Sequence, residues 1–279
     1  WRLMRQTLGR VPGNLSRFLE DRTPTFWLLA LVIGIGTGSA AVLFRIAIGA
    51  VQWLWTGTTS EINLVAIAAL PWWHVVLAPV VGGLVVGLIN QFLLAGRRAG
   101  SVADVIQARI QEGRGLGFRN GIVSALQTAI SLGAGASAGR EGPVVHLGGT
   151  IALSLSRFLR TDEADRRILL GCGVAGAISA SFNAPIAGVL FAHEVILGHY
   201  GMRAFVPIVI ASMSGSVVNR VFIGETAAFV IPRYEIGSYF ELPAFLALGV
   251  VAALVAIAFQ FLLIFFDQAA RSLVMPTWA

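Results

Sequence analysis

Two long apolar stretches open the chain. The first runs through residues 25–55, and the second follows Trp72 and Trp73 and reaches about residue 94. Each is at least as long as the roughly 20 residues that carry a helix across a bilayer, so the longer one must tilt or project. Arg45 interrupts the first and reads as a residue that snorkels or pairs inside the bundle. The paired tryptophans mark a membrane interface. Between residues 117 and 197 the pattern changes. Apolar runs become short and are broken by Gly133, Gly135, Gly139, Gly142, Gly148 and Gly149, by a charged turn from Arg157 to Arg167, and by Gly171, Gly173 and Gly176. Broken helices that meet at mid-membrane are how transporters build ion sites. Regular spans return at residues 203–223 and 242–266. The pattern predicts an all-α polytopic membrane protein with tilted and re-entrant helices.

Arginine placement sets the predicted orientation. Arg2, Arg5, Arg10, Arg17 and Arg22 lie in an amphipathic segment over residues 1–25, and Arg97, Arg98, Arg109, Arg114 and Arg119 outnumber Asp104 and Glu112. Both segments are predicted cytoplasmic. The 56–71 loop, with Glu61 alone, and the 224–241 loop, with Glu225, Glu235 and Glu241 against Arg233, are predicted external.

Composition agrees with this reading. Of 279 residues, 56% are hydrophobic and 12% charged, about half the charge of a soluble domain. The 32 glycines suit close packing of membrane helices. A net charge of +6 is a topology signal here and does not point to nucleic acid. One cysteine, Cys172, excludes an internal disulfide and reads as a small buried apolar residue. No signal peptide, metal site or cofactor motif is read.

The candidate chemistry sits at two helix starts. In Gly139-Arg140-Glu141-Gly142-Pro143 the proline lacks an N–H and has a fixed φ, which suits the first turn of a helix. The segment therefore delivers Glu141 to unpaired N–H groups and a positive helix end, which form an anion site. An ionisable side chain at membrane depth is a functional hypothesis in itself. Asn183-Ala184-Pro185 reads as a second start, with Asn183 as the cap. Two such ends aimed at one point would bind a dehydrated anion without a full counter-charge.

Gly139-Arg140-Glu141-Gly142-Pro143 with Gly148-Gly149, and Ser181-Phe182-Asn183-Ala184-Pro185-Ile186-Ala187-Gly188-Val189-Leu190-Phe191, resemble in order and spacing the signatures of the CLC chloride channels and chloride/proton antiporters, of prokaryotic type. The resemblance covers most of this chain and about the first half of a family member. It implies the first inverted repeat and the start of the second, in one transmembrane domain over residues 1–279. Within it, residues 26–200 carry the anion-path motifs and residues 201–279 supply interface and following helices. It implies that Glu141 is the external gate, and that Ser101, Gly139, Arg140, Gly142, Pro143, Val144, Val145, Phe182, Asn183 and Ala184 line the path. It further implies chloride, with protons in the antiporters and with fluoride or nitrate as alternative anions, as transported species, no cofactor, a lipid environment, the plasma membrane of a bacterium, and a homodimer. The apolar helices of residues 184–197 and 205–221 are available for that dimer.

Three departures modify the expectation. Where the family has Gly-Ser-Gly-Ile-Pro, this chain has Gly100-Ser101-Val102-Ala103-Asp104, which keeps the hydroxyl and adds a negative charge near the inner mouth. In Phe191-Ala192-His193-Glu194-Val195, Glu194 matches a structural acid, and Val195 replaces the inner proton-relay glutamate of antiporters, as in channels. No second-half Gly-x-Phe-x-Pro motif or pore tyrosine follows Phe266, so the chain is expected to be a fragment, or half of a pore completed by other material. The rival class is an intramembrane serine hydrolase. Gly135-Ala136-Ser137-Ala138-Gly139 matches G-x-S-x-G, with His146 and His193 as candidate bases, but that motif requires a strand before the serine.

Overall fold

The computed structural model describes residues 23–59, 67–94, 99–111, 115–224 and 237–272. The described elements are α-helical: α1 (Thr23–Thr56), α2 (Trp72–Phe92), α3 (Val102–Ile110), α4 (Phe118–Gly133), α5 (Glu141–Phe158), α6 (Glu163–Phe182), α7 (Pro185–Phe191), a π-helical turn (Ala192–Leu197) that continues α7, α8 (Met202–Phe222) and α9 (Glu241–Ser272). By length and composition α1, α2, α8 and α9 can each cross a bilayer. The predicted spans coincide with these four within a few residues at most ends, and α9 runs on to Ser272. Most of the predicted amphipathic segment, residues 1–22, lies outside the described residues, as do Arg97, Arg98 and Arg114.

The chain divides into two compact units, one ending at Ala228 and one comprising essentially Phe229–Thr277. In the second unit the described helix is α9, whose side chains from Leu242 to Ala270 are exposed.

In the first unit α6 is the axis. Residues Leu169 to Ala180 are all buried, which a helix apolar on every side requires. Cys172, free and fully buried, lies in this stretch. Glycine lets the neighbouring backbones touch it. A Cβ added at Gly148 of α5 would stand 2.5 Å from the Gly173 carbonyl of α6, and one at Gly173 would stand 2.5 Å from the Gly148 carbonyl. On the other side a Cβ at Gly176 would lie 3.1 Å from Gly34 Cα of α1, and one at Gly38 would lie 2.9 Å from Gly215 Cα of α8. Helices in lipid associate by such close packing, because lipid offers no hydrophobic drive between them.

The ends of α6 are defined chemically. Asp162 caps its start by accepting from the Asp165 N–H at 2.7 Å, and Glu163 and Asp165 occupy its first turn, where the dipole favours acids. Arg167 pairs with Glu163 one turn away, and Arg203 reaches Asp165 at 2.8 Å, tying the start of α8 to that of α6. Asn183 ends α6 in the left-handed region, φ 53° and ψ 38°. It is therefore the C-cap of α6, and Ala184 precedes α7. This corrects the reading of Asn183 as the cap of α7. A left-handed residue cannot hold the extended backbone of an N-cap, and asparagine is among the few non-glycine residues that tolerate such a φ.

Candidate anion path at converging helix starts

The start of α5 meets the start of α3. A Cβ added at Gly142 would lie 3.8 Å from Ser101 Cα and 4.0 Å from the Val102 nitrogen, so the two helix starts are in van der Waals contact. The contact brings their two positive ends close together. The first hydrogen bond of α5 runs from Val144 N–H to the Arg140 carbonyl, 3.2 Å. The N–H groups of Val144 and Val145 are thus taken up by the helix, and the donors left at this start belong to Glu141 and Gly142, because Pro143 has none. Val144 and Val145 are buried and pack with neighbouring helices.

Glu141 is exposed, and its carboxylate folds back onto Gly139, where a side chain of any size would strike it. The acid therefore rests beside its own helix start and leaves the Gly142 donor uncovered. Gly139 permits this by its missing Cβ. Arg140, which precedes α5, reaches the Ser181 carbonyl at 3.5 Å and sets its guanidinium 5.8 Å from the centre of the Phe182 ring. It joins the start of α5 to the end of α6.

At the second motif the donors are differently used. The N–H groups of Asn183 and Ala184 both donate to the Ser179 carbonyl, closing α6. The first bond of α7 is Gly188 N–H to the Ala184 carbonyl at 3.0 Å, so the donors at the start of α7 belong to Ile186 and Ala187. The sequence reading missed Ile186 and Ala187, although Pro185 at the first helical position points to them. The Asn183 carboxamide oxygen accepts from Ser216 Oγ and Arg220 Nε of α8, each at 3.0 Å.

Ser101 precedes α3. Its N–H donates to the Asp104 carboxylate at 2.7 Å and its hydroxyl donates to the same oxygen at 2.9 Å. The arrangement is a capping box, with Asp104 in the usual glutamate position. A hydroxyl has one proton, so the Ser101 O–H serves Asp104 in this state. Gly100 N–H donates to Ser124 Oγ of α4 at 2.6 Å, and Gly100 packs on the His146 ring of α5, so both helices fix the loop that leads into α3. Val195 packs with Val102, Phe182 and Phe191 against one apolar cluster that includes Val145, Val174 and Ile178. Glu194 is exposed, while His193 is fully buried, stacked on Tyr200 and Phe205, with Nδ1 3.0 Å from the His199 carbonyl.

The hydrolase constellation is not assembled. Ser137 lies in an exposed non-helical loop that follows helix α4, so the strand required before a nucleophile elbow is absent there. His146 packs on Gly100 and His193 between aromatic rings, each buried.

Fold and site together define an all-helical membrane protein in which two helix starts meet, each with an acid in its first turn. Residues 82–279 match the model of the family described as voltage gated chloride channel, and the chain belongs to that family, the CLC proteins. It is similar to the chloride channel protein CLC-f of Arabidopsis thaliana, 31% identical over 273 residues, 92% of this chain and 34% of that one. It is also similar to the H(+)/Cl(-) exchange transporter ClcA of Vibrio cholerae, 30% identical over 271 residues, 92% of this chain and 56% of that one. The chain thus spans between a third and somewhat over half the length of these relatives. A slow cyanobacterial Cl-/H+ antiporter shares the fold at TM-score 0.73 and 21% identity, over 91% of this chain and 60% of the other. A CLC-type fluoride/proton antiporter shares it at TM-score 0.73 and 22% identity, over 91% and 61%.

Proposed function

We propose that this chain contributes the Glu141-gated part of a transmembrane chloride path. The observation that carries the reading is the contact between the starts of α3 and α5, with Glu141 on the first turn of α5 and its carboxylate folded onto Gly139. A carboxylate in that position competes with a free anion for the donors of Glu141 and Gly142. Swung inward and charged, it fills the site. Protonated or swung outward, it yields the site to chloride. The half charge at each helix end balances the anion without holding it permanently. Gly139, Arg140, Gly142 and Pro143 shape this mouth, Ser101 and Asp104 stand at the start of α3, and the 182–184 turn braces it.

The conduction is channel-like. In support, Val195 stands where the antiporters' inner relay glutamate is expected and packs among apolar side chains, so no carboxylate there takes a proton from the inner side. The exchange reading is the alternative that the similarity to ClcA favours. Reversal potentials under opposed chloride and pH gradients separate the two. A channel reverses at the chloride potential whatever the pH gradient, and an exchanger does not. The gate itself is tested by Glu141→Gln in the whole protein in liposomes. The external pH and voltage dependence of chloride flux is expected to disappear, and unchanged dependence overturns the reading.

The protein is a homodimer in a bacterial plasma membrane with its N-terminus in the cytoplasm. Ile186 and Leu190 of α7, and Met213 and Val217 of α8, are exposed and apolar, as an interface in lipid requires. Cross-linking in mild detergent is expected to trap twice the chain mass. External labelling of a cysteine placed at Arg97 or Arg114 would reverse the topology.

A further inference from the structure

The turn between α6 and α7 is held from two sides by arginines, one on α8 and one at the residue before α5. From α8, Ser216 Oγ and Arg220 Nε both donate to the Asn183 carboxamide oxygen, at 3.0 Å each. These residues are four apart, so they stand one above the other on one helix face. Ser216 is 2% exposed, whereas Arg220 is exposed. From the start of α5, Arg140 reaches the Ser181 carbonyl and lies over the Phe182 ring. Arg140 is also the residue immediately before Glu141. An unbroken series of contacts therefore runs from the last turns of α8, through Asn183 and the 181–182 backbone, to the start of α5 where the acid sits.

The backbone explains why this brace is needed. Asn183 is held at φ 53°, a conformation reached by few non-glycine residues, and no intrahelical bond fixes its side chain. Two donors on one oxygen fix that side chain and with it the direction in which α7 leaves α6. The direction of α7 decides where the open donors of Ile186 and Ala187 point. Their placement relative to an anion is a matter of tenths of an ångström, because hydrogen bonding to an ion depends steeply on distance and angle.

We infer that Arg220, with Ser216, is a positioning residue of the anion path. It acts through Asn183 to set the geometry at the start of α7, and it ties the 181–183 turn to the α5 gate, so it governs which anions the path accepts. The inference rests on the proposed chloride path and extends it to residues on α8 that carry no family motif.

The experiment measures nitrate-to-chloride permeability, together with chloride flux against external pH, in liposomes holding the whole protein. Arg220→Met removes the donor and the charge while keeping the bulk, and Ser216→Ala removes the second donor more gently. Each is expected to shift the permeability ratio, about threefold for Arg220→Met. Arg220→Lys, which keeps a donor and a charge, is expected to restore most of it. In an Asn183→Ala background Arg220→Met is expected to add nothing. A wild-type ratio in both Arg220→Met and Ser216→Ala overturns the inference. So does an equal shift with and without Asn183, which would make Arg220 a surface charge acting on its own. Glu141→Gln measured beside them tests the gate separately, since unchanged pH dependence there removes the gate without altering the Asn183 comparison. If a variant carries no flux, chloride-dependent thermal stabilisation in detergent, against gluconate, replaces it as readout. Loss of that stabilisation in Arg220→Met but not in Arg220→Lys supports the inference, and equal stabilisation in both overturns it.

Discussion

The start of α5 and the start of α7 are built from similar sequence, a polar residue and a proline opening an apolar helix, yet the structure uses them differently. At α5 the polar residue is an acid that lies free of the helix, folded on Gly139, and the N–H groups of Glu141 and Gly142 are left without intrahelical partners. At α7 the polar residue is an amide fixed by Ser216 and Arg220, and the N–H groups of the preceding turn close α6 on Ser179. On the proposed reading, a helix end serves as a gate when its polar side chain has room to leave. It becomes a joint when that side chain is tied to a neighbour.

Exchanging the chemistry at the two positions tests this contrast most strongly. Glu141→Gln is expected to abolish most of the external pH dependence of flux, and to change stability by no more than about 0.5 kcal/mol, because the side chain is exposed. Asn183→Ala is expected to do the reverse. It strands the buried Ser216 donor and leaves a left-handed residue without its fixing hydrogen bonds, at a cost of about 1–3 kcal/mol, while pH dependence survives. Thermal unfolding in detergent beside flux against external pH reads both. If Asn183→Ala erases the pH dependence as Glu141→Gln does, the joint and the gate are one device.

The next effect is smaller and concerns the resting place of the acid. Gly139→Ala introduces a Cβ where the Glu141 carboxylate now lies. The carboxylate must move, and the outward rest position is weakened relative to the inward one. Chloride flux at neutral pH is expected to fall several-fold and to recover when the external side is acidified enough to protonate the acid. Fluxes at two external pH values decide it. Equal loss at both would mean that the mutation damages the path and leaves the gate alone.

How much of this was legible in the sequence follows from what each signal depends on. The four long spans are set by length and apolarity, which are local properties, and they were read within a few residues at most ends. The two motif helices were found because proline fixes φ at the first turn. The identity of the open donors was not legible. Whether Val144 or Gly142 offers a free N–H depends on where the first helical bond closes, and that bond, Val144 to Arg140, is a register detail. Asn183 was misread as a cap of α7 because asparagine suits both ends of a helix, and only its backbone angle distinguishes them. The partners of Asn183 come from a helix more than 30 residues away along the chain, at Ser216 and Arg220, and no pattern along the chain links those positions to it.

The last effect, on affinity alone, is expected at the third helix start, where both arrangements are combined. Asp104 accepts both the N–H and the O–H of Ser101, so α3 carries an acid like α5 but holds it closed like α7. If Ser101 is to turn its hydroxyl to a chloride ion, it must release Asp104, and the carboxylate then faces an anion across the same donors. Asp104→Asn keeps an oxygen that accepts the Ser101 bonds and removes the charge. Charge-assisted hydrogen bonds are roughly twice as strong as neutral ones, so the amide releases Ser101 more readily. It also no longer repels the ion, an effect of about 1–4 kcal/mol for two charges 4 Å apart between bulk water and a protein surface. Part of that gain is offset by a weaker cap on α3, about 0.5–1 kcal/mol. Apparent chloride affinity measured from the inner side is therefore expected to rise by about threefold to tenfold, a gain of about 0.7–1.4 kcal/mol, with external pH dependence unchanged because Glu141 is untouched. Inner-side affinity that stays at the wild-type value would leave Asp104 as a cap and nothing more, and Ser101 outside the anion path.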